Sequence, residues 1–271
     1  VPEISKKLDG KRIVVTGASR GLGRALAMTF ARAGAQVALL ARSEPTLERA
    51  QEEIHELGGK AFRVQVDVGD YTSVQSAFSE IYRHWPRVDG LVNNAAIVEP
   101  LGPVFQLDPT AWKRTIEVDL NGAFYCSREA LSTMIDGKGG CIINITSGLA
   151  RFVLSYFSAY STAKSGLNTL TLYLAQELAQ YGIRVYGLDP GVMDTDMQLN
   201  IRNAPAKTLD EETIRIFQGY KQRNELNPPM RSALLALYLM SDAGMEMSGQ
   251  VGGASHFSQF GYVPPDSIDW K

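Results

Sequence analysis

Two cysteines and three histidines are all that 271 residues offer as soft or imidazole metal ligands. Cys126 and Cys141 each sit in an apolar stretch, which reads as a pair of buried thiols and not as a disulfide or a metal site. His55, His84 and His256 are scattered without ligand spacing, so no metal is expected. No apolar run approaches the roughly 18 residues of a membrane span, and no leader pattern opens the chain. The expectation is a cytoplasmic protein with no membrane role. Because residue 1 is Val and not Met, position 1 is read as a numbering origin, not as the natural start. Net charge is lacking too: 27 Lys and Arg against 29 Asp and Glu leave −2, no field for nucleic acid. A local basic cluster could still bind a phosphate. Internal repeats, low-complexity tracts and linkers are absent as well.

What is present is alternation. A composition 45% hydrophobic and 21% charged is that of a globular protein with a sizeable core, and the length suits one domain. Short β-rich runs at residues 11–16, 36–41, 61–66, 88–92, 141–145 and 183–188 alternate with helical spacing at 47–57, 71–82, 112–134, 158–181 and 231–240. A last short strand is expected near 250–252. Residues 193–227 break the rhythm. This pattern predicts an α/β fold: a doubly wound, parallel, seven-stranded sheet with helices on both faces, in one domain spanning 1–271 with its core at about 11–253.

Between the first strand and the first helix lies Gly17-Ala18-Ser19-Arg20-Gly21-Leu22-Gly23. Glycines there permit a tight turn and close backbone approach, while a helix N-terminus offers N–H groups to a pyrophosphate. The spacing is Gly-x-x-x-Gly-x-Gly, and its place in a βαβ unit favours nucleotide binding over an ordinary turn. The second strand ends Leu40-Ala41-Arg42-Ser43 with no acid for a ribose 2′-hydroxyl. Arg42, Ser43 and Arg20 instead suit a 2′-phosphate, which favours NADP(H) over NAD; Glu44 weighs the other way.

Tyr160 and Lys164 are four apart at helical spacing and share a face. A cation beside a phenol favours the phenolate, so Lys164 is expected to lower the Tyr160 pKa toward a useful range. Taken alone, Tyr-x-x-x-Lys is common, and a packed tyrosine with a solvated lysine is the better reading of it. The upstream turn and strand give it meaning.

With these motifs the chain resembles the short-chain dehydrogenase/reductase family, of NADP-dependent carbonyl reductase type, from about Lys11 to Gly253. Thr16 to Gly23 resembles its cofactor turn, Asp67-Val68 its adenine-side pair, and Asn93-Asn94-Ala95-Ala96 its fourth-strand motif, with Ala96 where glycine is more usual. Asn121, Ser147, Tyr160 and Lys164 fall in the order of its catalytic tetrad, and Pro190-Gly191-Val192 with Thr195 resembles the segment that touches the nicotinamide carboxamide. The resemblance implies a Rossmann-type fold and hydride transfer between nicotinamide and a carbonyl or secondary alcohol. Tyr160 then exchanges the proton, Lys164 also holds the ribose, and Ser147 polarises the carbonyl. Asn121, an asparagine inside a helical stretch, marks a backbone kink and a water site relaying protons to Lys164. Ser147 read alone is equally a turn cap.

On the substrate side, 149–157 and a lid at 193–228 are expected to line an apolar pocket, with Phe152, Phe157, Met193 and Met197 facing it. A bulky or aromatic ketone or diketone suits that lining. The lid also resembles, over a shorter stretch, that of the sepiapterin and benzil reductases. Asp194 and Asp196 read as capping or lid contacts and not as a catalytic pair. The alternatives are a 3-oxoacyl-(acyl-carrier-protein) reductase and, from another class, a non-catalytic dinucleotide-binding sensor or scaffold. Apolar excess on 112–134 and 158–181, where the family pairs its subunits, implies a homodimer or homotetramer.

Overall fold

The computed structural model describes residues 7–205 and 208–264. The expected domain span and lid therefore include residues 1–6, 206–207 and 265–271 that lie outside the described ones. In chain order the elements are β1 (Arg12–Thr16), α1 (Gly21–Arg32), β2 (Gln36–Ala41), α2 (Glu44–Glu56), β3 (Lys60–Gln65), α3 (Tyr71–His84) and β4 (Gly90–Asn93). Next come α4 (Pro109–Ile116), a π-helical segment (Glu117–Asn121), α5 (Gly122–Asp136), β5 (Gly140–Ile145), α6 (Ser158–Leu178) and β6 (Ile183–Leu188). The chain continues through α7 (Asp196–Arg202), α8 (Glu211–Gln222), α9 (Pro229–Met240), β7 (Val251–Gly252) and α10 (Ala254–Ser258). The strands form one sheet in the order β3-β2-β1-β4-β5-β6-β7, with every pairing parallel. This is the single α/β domain with a seven-stranded parallel sheet that the alternation predicts.

Period-two alternation explains the layers. Ile13 and Val15 of β1 face a core shared with Leu26 and Phe30 of α1 and Leu235 and Leu239 of α9. Val14 faces the opposite core, built with Phe78 and Ile81 of α3, Ala130 of α5 and Leu174 of α6. Helix α3 shows how local sequence sets an element. Asp70 caps it by accepting from the Thr72 N–H at 3.0 Å, and Val74, Ala77, Phe78 and Ile81 recur on one buried face. No helix among the described residues is long and apolar enough to cross a membrane.

Two differences from the sequence reading matter for the site. The stretch 112–134 is not one α-helix but α4 and α5 joined by the π segment. The region 193–227 holds α7 and α8, closed at its base where Met193 bridges Asn227.

Within the core a chain of polar side chains ties the sheet centre to α6. The Asn93 amide donates to Asn144 Oδ1 at 2.8 Å, the Asn144 amide donates to Thr171 Oγ1 at 2.9 Å, and Thr171 donates to the Leu167 carbonyl at 2.7 Å. All three side chains are buried. The Asn93 amide also donates to Ser127 Oγ at 3.0 Å. Asn144→Ala should remove one acceptor from Asn93 and the donor to Thr171 and leave a small void, lowering stability by about 2 kcal/mol or more. A denaturant titration reads this as a lower midpoint with an unchanged slope; an unaltered midpoint would contradict it.

Candidate active site

A cleft of about 640 Å3 runs along the C-terminal ends of the strands, from the turn after β1 to the start of α6. At one end the glycine turn forms its floor. Gly17 takes a φ of +64°, which favours glycine, and a Cβ on Gly23 would stand 2.1 Å from the Gly17 carbonyl oxygen. Asn94 clamps the same turn from β4, its amide donating to the Thr16 carbonyl at 2.9 Å and its N–H to Thr16 Oγ1 at 2.9 Å. The first turn of α1 points into the cleft with no side-chain cap on it. Its N–H groups are thus available to an anion.

The rim beyond the turn is basic. Arg42 and Ser43, at the end of β2, line the cleft and are exposed. The Arg42 guanidinium makes no side-chain hydrogen bond or ion pair among the described residues, and its charge helps to hold the Asp67 carboxyl down. Arg20 is differently placed: it pairs with Asp196 of α7 at 3.3 Å, joining the glycine turn to the lid. Asp67 and Val68, together with Asn94, Ala95 and Ala96, form the facing wall. The Asp67 carboxylate accepts from Arg114 at 2.6 Å and from the Gly69 N–H at 3.0 Å. Burial works to raise its pKa, but these two donors outweigh burial and hold it below the usual carboxylate range. Arg114 also lines the cleft and went unnoticed in the sequence, where a lone arginine on a helix carries no signal.

At the other end stand Tyr160 and Lys164, both on the first turns of α6 and both lining the cleft. Lys164 is 2% exposed; its Nζ lies 5.6 Å from the Tyr160 ring centre and donates to the Ile145 carbonyl at 2.9 Å. Ser147, just past β5 and outside the cleft lining, stands near the Tyr160 hydroxyl and favours its ionised form. Its Oγ also accepts from the Leu149 N–H at 3.2 Å, so the cap and the site contact coexist. The expected lowering of the phenol is corrected here. Burial first, and the charge of Asp119 next, push Tyr160 up, Ser147 opposing them and Asp189 adding to them. Burial also pushes Lys164 down, against the pull of Asp119. Tyr160 is therefore a protonated phenol at neutral pH, equipped to donate a proton.

The backbone kink expected at Asn121 is present as the π segment Glu117–Asn121. The Asn121 side chain itself turns away: its amide donates to Glu117 Oε2 at 2.8 Å and it does not border the cleft. The side chain beside Lys164 is Asp119, whose Oδ2 lies 3.8 Å from Nζ. Residues two apart on a helix point about 200° away from each other, so only one of the pair can face inward. A signal was available: Thr115, Val118, Asp119, Gly122, Ala123 and Cys126 recur at helical spacing, and all are buried.

The apolar half divides differently from expectation. Met193 and Met197 line the cleft, with Pro190 and Thr195. Phe157 does not; it is wholly buried and stacks on Phe217 of α8, centre to centre 5.6 Å, behind the wall. Phe152 is 61% exposed and, with Gly191 and Val192, lies outside the cleft lining.

Comparison with known proteins agrees with this geometry. The sequence profile of the family described as short chain dehydrogenase matches residues 11–206. Cis-4-hydroxycyclohexanecarboxylate dehydrogenase of Sinomonas cyclohexanicum is 38% identical over 241 residues, 88% of this chain and 92% of its own. A short chain dehydrogenase/reductase of Aspergillus oryzae is 34% identical over 246 residues, 89% of this chain and 92% of its own. Among solved structures, one from Beutenbergia cavernae superimposes with a TM-score of 0.82 at 31% identity, over 91% of this chain and 95% of that one. That protein is provisionally assigned as an NAD(P)-dependent gluconate 5-dehydrogenase and carries NADP at low occupancy.

Proposed function

The chain belongs to the short chain dehydrogenase family of oxidoreductases, and on that premise we propose that it is an NADP(H)-dependent carbonyl reductase acting on a bulky or aromatic ketone or diketone. One observation carries the reading. A protonated phenol with a buried ammonium behind it stands in the same cleft as a glycine turn, an uncapped helix start and a basic rim.

These residues fit a phosphorylated dinucleotide. The N–H groups of Gly21 to Gly23 would take the pyrophosphate, and Arg42 with Ser43 the 2′-phosphate. When bound, NADPH supplies the hydride. The chain does the rest: Ser147 orients and polarises the substrate carbonyl, and Tyr160 donates its proton to the oxygen as the carbinol forms. Lys164 holds the ribose and refills the charge balance beside the phenol. Met193 and Met197 present a deformable apolar wall, which supports a bulky ring over a small polar substrate. Residues 193–228 act as the lid, with the Arg20–Asp196 pair at 3.3 Å as its contact with the turn. Two of the three proteins named above are named for hydroxylated acids, so the substrate panel should include such alcohols beside aromatic diketones.

Two outcomes check the assignment. Arg42→Asp should reverse the charge offered to the 2′-phosphate and cut the preference for NADPH over NADH at least roughly tenfold, about 1.4 kcal/mol. Titration of nucleotide binding by fluorescence decides it, and a wild type that binds NADH more tightly would end the NADP reading. Tyr160→Phe keeps the ring and removes the proton, so ketone reduction should fall by about 10²–10⁴-fold while NADPH binding persists. A variant within a few-fold of wild type would place the chemistry elsewhere.

A further inference from the structure

Asp119 has no role in the reaction as derived so far. Its carboxylate is wholly buried; one oxygen accepts from the Ile97 N–H at 2.8 Å, while Oδ2 has no hydrogen-bond partner and faces Lys164 Nζ at 3.8 Å. Holding the Ile97 loop does not require a charge, since an asparagine oxygen would accept the same bond at a smaller desolvation cost. The negative charge itself is what the structure leaves unexplained. We propose that Asp119 is a positioning residue whose charge, set against Lys164, raises the proton affinity of the Tyr160–Lys164 pair and so holds the site's proton in place at neutral pH. This rests on the reading of Tyr160 as the proton donor.

Charge in a dry volume sets the proton affinity here. With Asp119 ionised, Lys164 charged and Tyr160 neutral, the three groups sum to zero. Loss of a proton then creates a buried net negative charge, which is costly. Without the carboxylate the same volume holds a net positive charge, and loss of a proton relieves it. The first proton leaves at lower pH in the second case whichever partner supplies it, because the proton belongs to the coupled pair. The Ile145 carbonyl, 2.9 Å from Nζ, favours the ammonium form of Lys164, while burial pushes it down.

Other groups surround the trio without replacing this control. Glu99, in the segment after β4, adds negative field at Asp119. Asp189, at the end of β6, adds it at Tyr160 but is paired with Arg151 at 2.7 Å. Ser147, past β5, opposes both by favouring the ionised phenol. Arg114, on the helical stretch that carries Asp119, is tied to Asp67 at 2.6 Å. Burial, against Lys164 and the Ile97 N–H and aided by Glu99, lifts Asp119 itself to about 6. This control therefore operates above about pH 6, where the carboxylate is charged.

The test is Asp119→Asn, which keeps an acceptor for Ile97. Tyr160 ionisation is followed by tyrosinate absorbance, subtracting the matching Tyr160→Phe protein because the chain has 11 tyrosines. The midpoint should fall by about one pH unit or more. The lower limb of the pH profile of alcohol oxidation, which reports the base, should move down by a similar amount. Asp119→Ser, which also removes the charge, should shift the midpoint the same way and covers the case in which the amide variant misfolds. An unmoved or raised midpoint in the folded variant overturns the proposal. The absorbance needs no turnover, so an inactive wild type would defeat the proposed reaction while a lowered midpoint still upheld the charge coupling.

Discussion

An ammonium group buried to 2% exposure is the constraint on which the site depends. Lys164 can stay charged there only with partners that offset its lost hydration. The fold supplies two of them from different elements: the Ile145 carbonyl at the end of β5 and Asp119 in the π segment before α5. Each partner fixes geometry. The Ile145 contact sets how deep α6 sits over the sheet, and the buried Asn93–Asn144–Thr171 chain holds that helix two turns further on. Tyr160, one turn before Lys164, is carried into the cleft as a result.

The opposite end of the cleft works by leaving groups open instead of pairing them. The start of α1 has no side-chain cap, and the near-contact between Gly23 and the Gly17 carbonyl lets backbone lie where side chains would otherwise stand. Asn94 lines the cleft and holds that turn through Thr16 with a neutral amide that adds no charge. Parallel strands bring both ends together, since every strand points its C-terminal edge the same way. The crevice at that edge is where the switch in strand order, β1 next to β4, places it.

Much of this was legible in the residues. The strands at 36–41 and 183–188 have the bounds that the apolar runs give, because buried parallel strands are punctuated by Gly and polar residues at both ends. The glycine turn, the basic residues after β2 and the Tyr160–Lys164 pair are local patterns, and local patterns survive folding. What failed was long-range. Asn121 was placed in the site by resemblance to the tetrad order; its kink is there as the π segment, but register faces its side chain toward Glu117 and turns Asp119 inward. The direction of the Tyr160 shift depends on burial and on a carboxylate 41 positions away in sequence, neither visible in a Tyr-x-x-x-Lys motif. Phe157 looked like pocket lining because it is aromatic, but the partner that buries it, Phe217, lies 60 positions on.

The central claim is that hydride passes within this cleft to a carbonyl carbon while the chain supplies the proton. The most direct measurement is isotope transfer: incubation with NADPH carrying deuterium at nicotinamide C4, an aromatic diketone or ketone, and mass and NMR analysis of the alcohol. The account predicts deuterium on the carbinol carbon from one face of the nicotinamide only, with the hydroxyl proton drawn from solvent. Alcohol formed without deuterium at carbon from either label, or NADPH left unconsumed across the substrate panel, would contradict it.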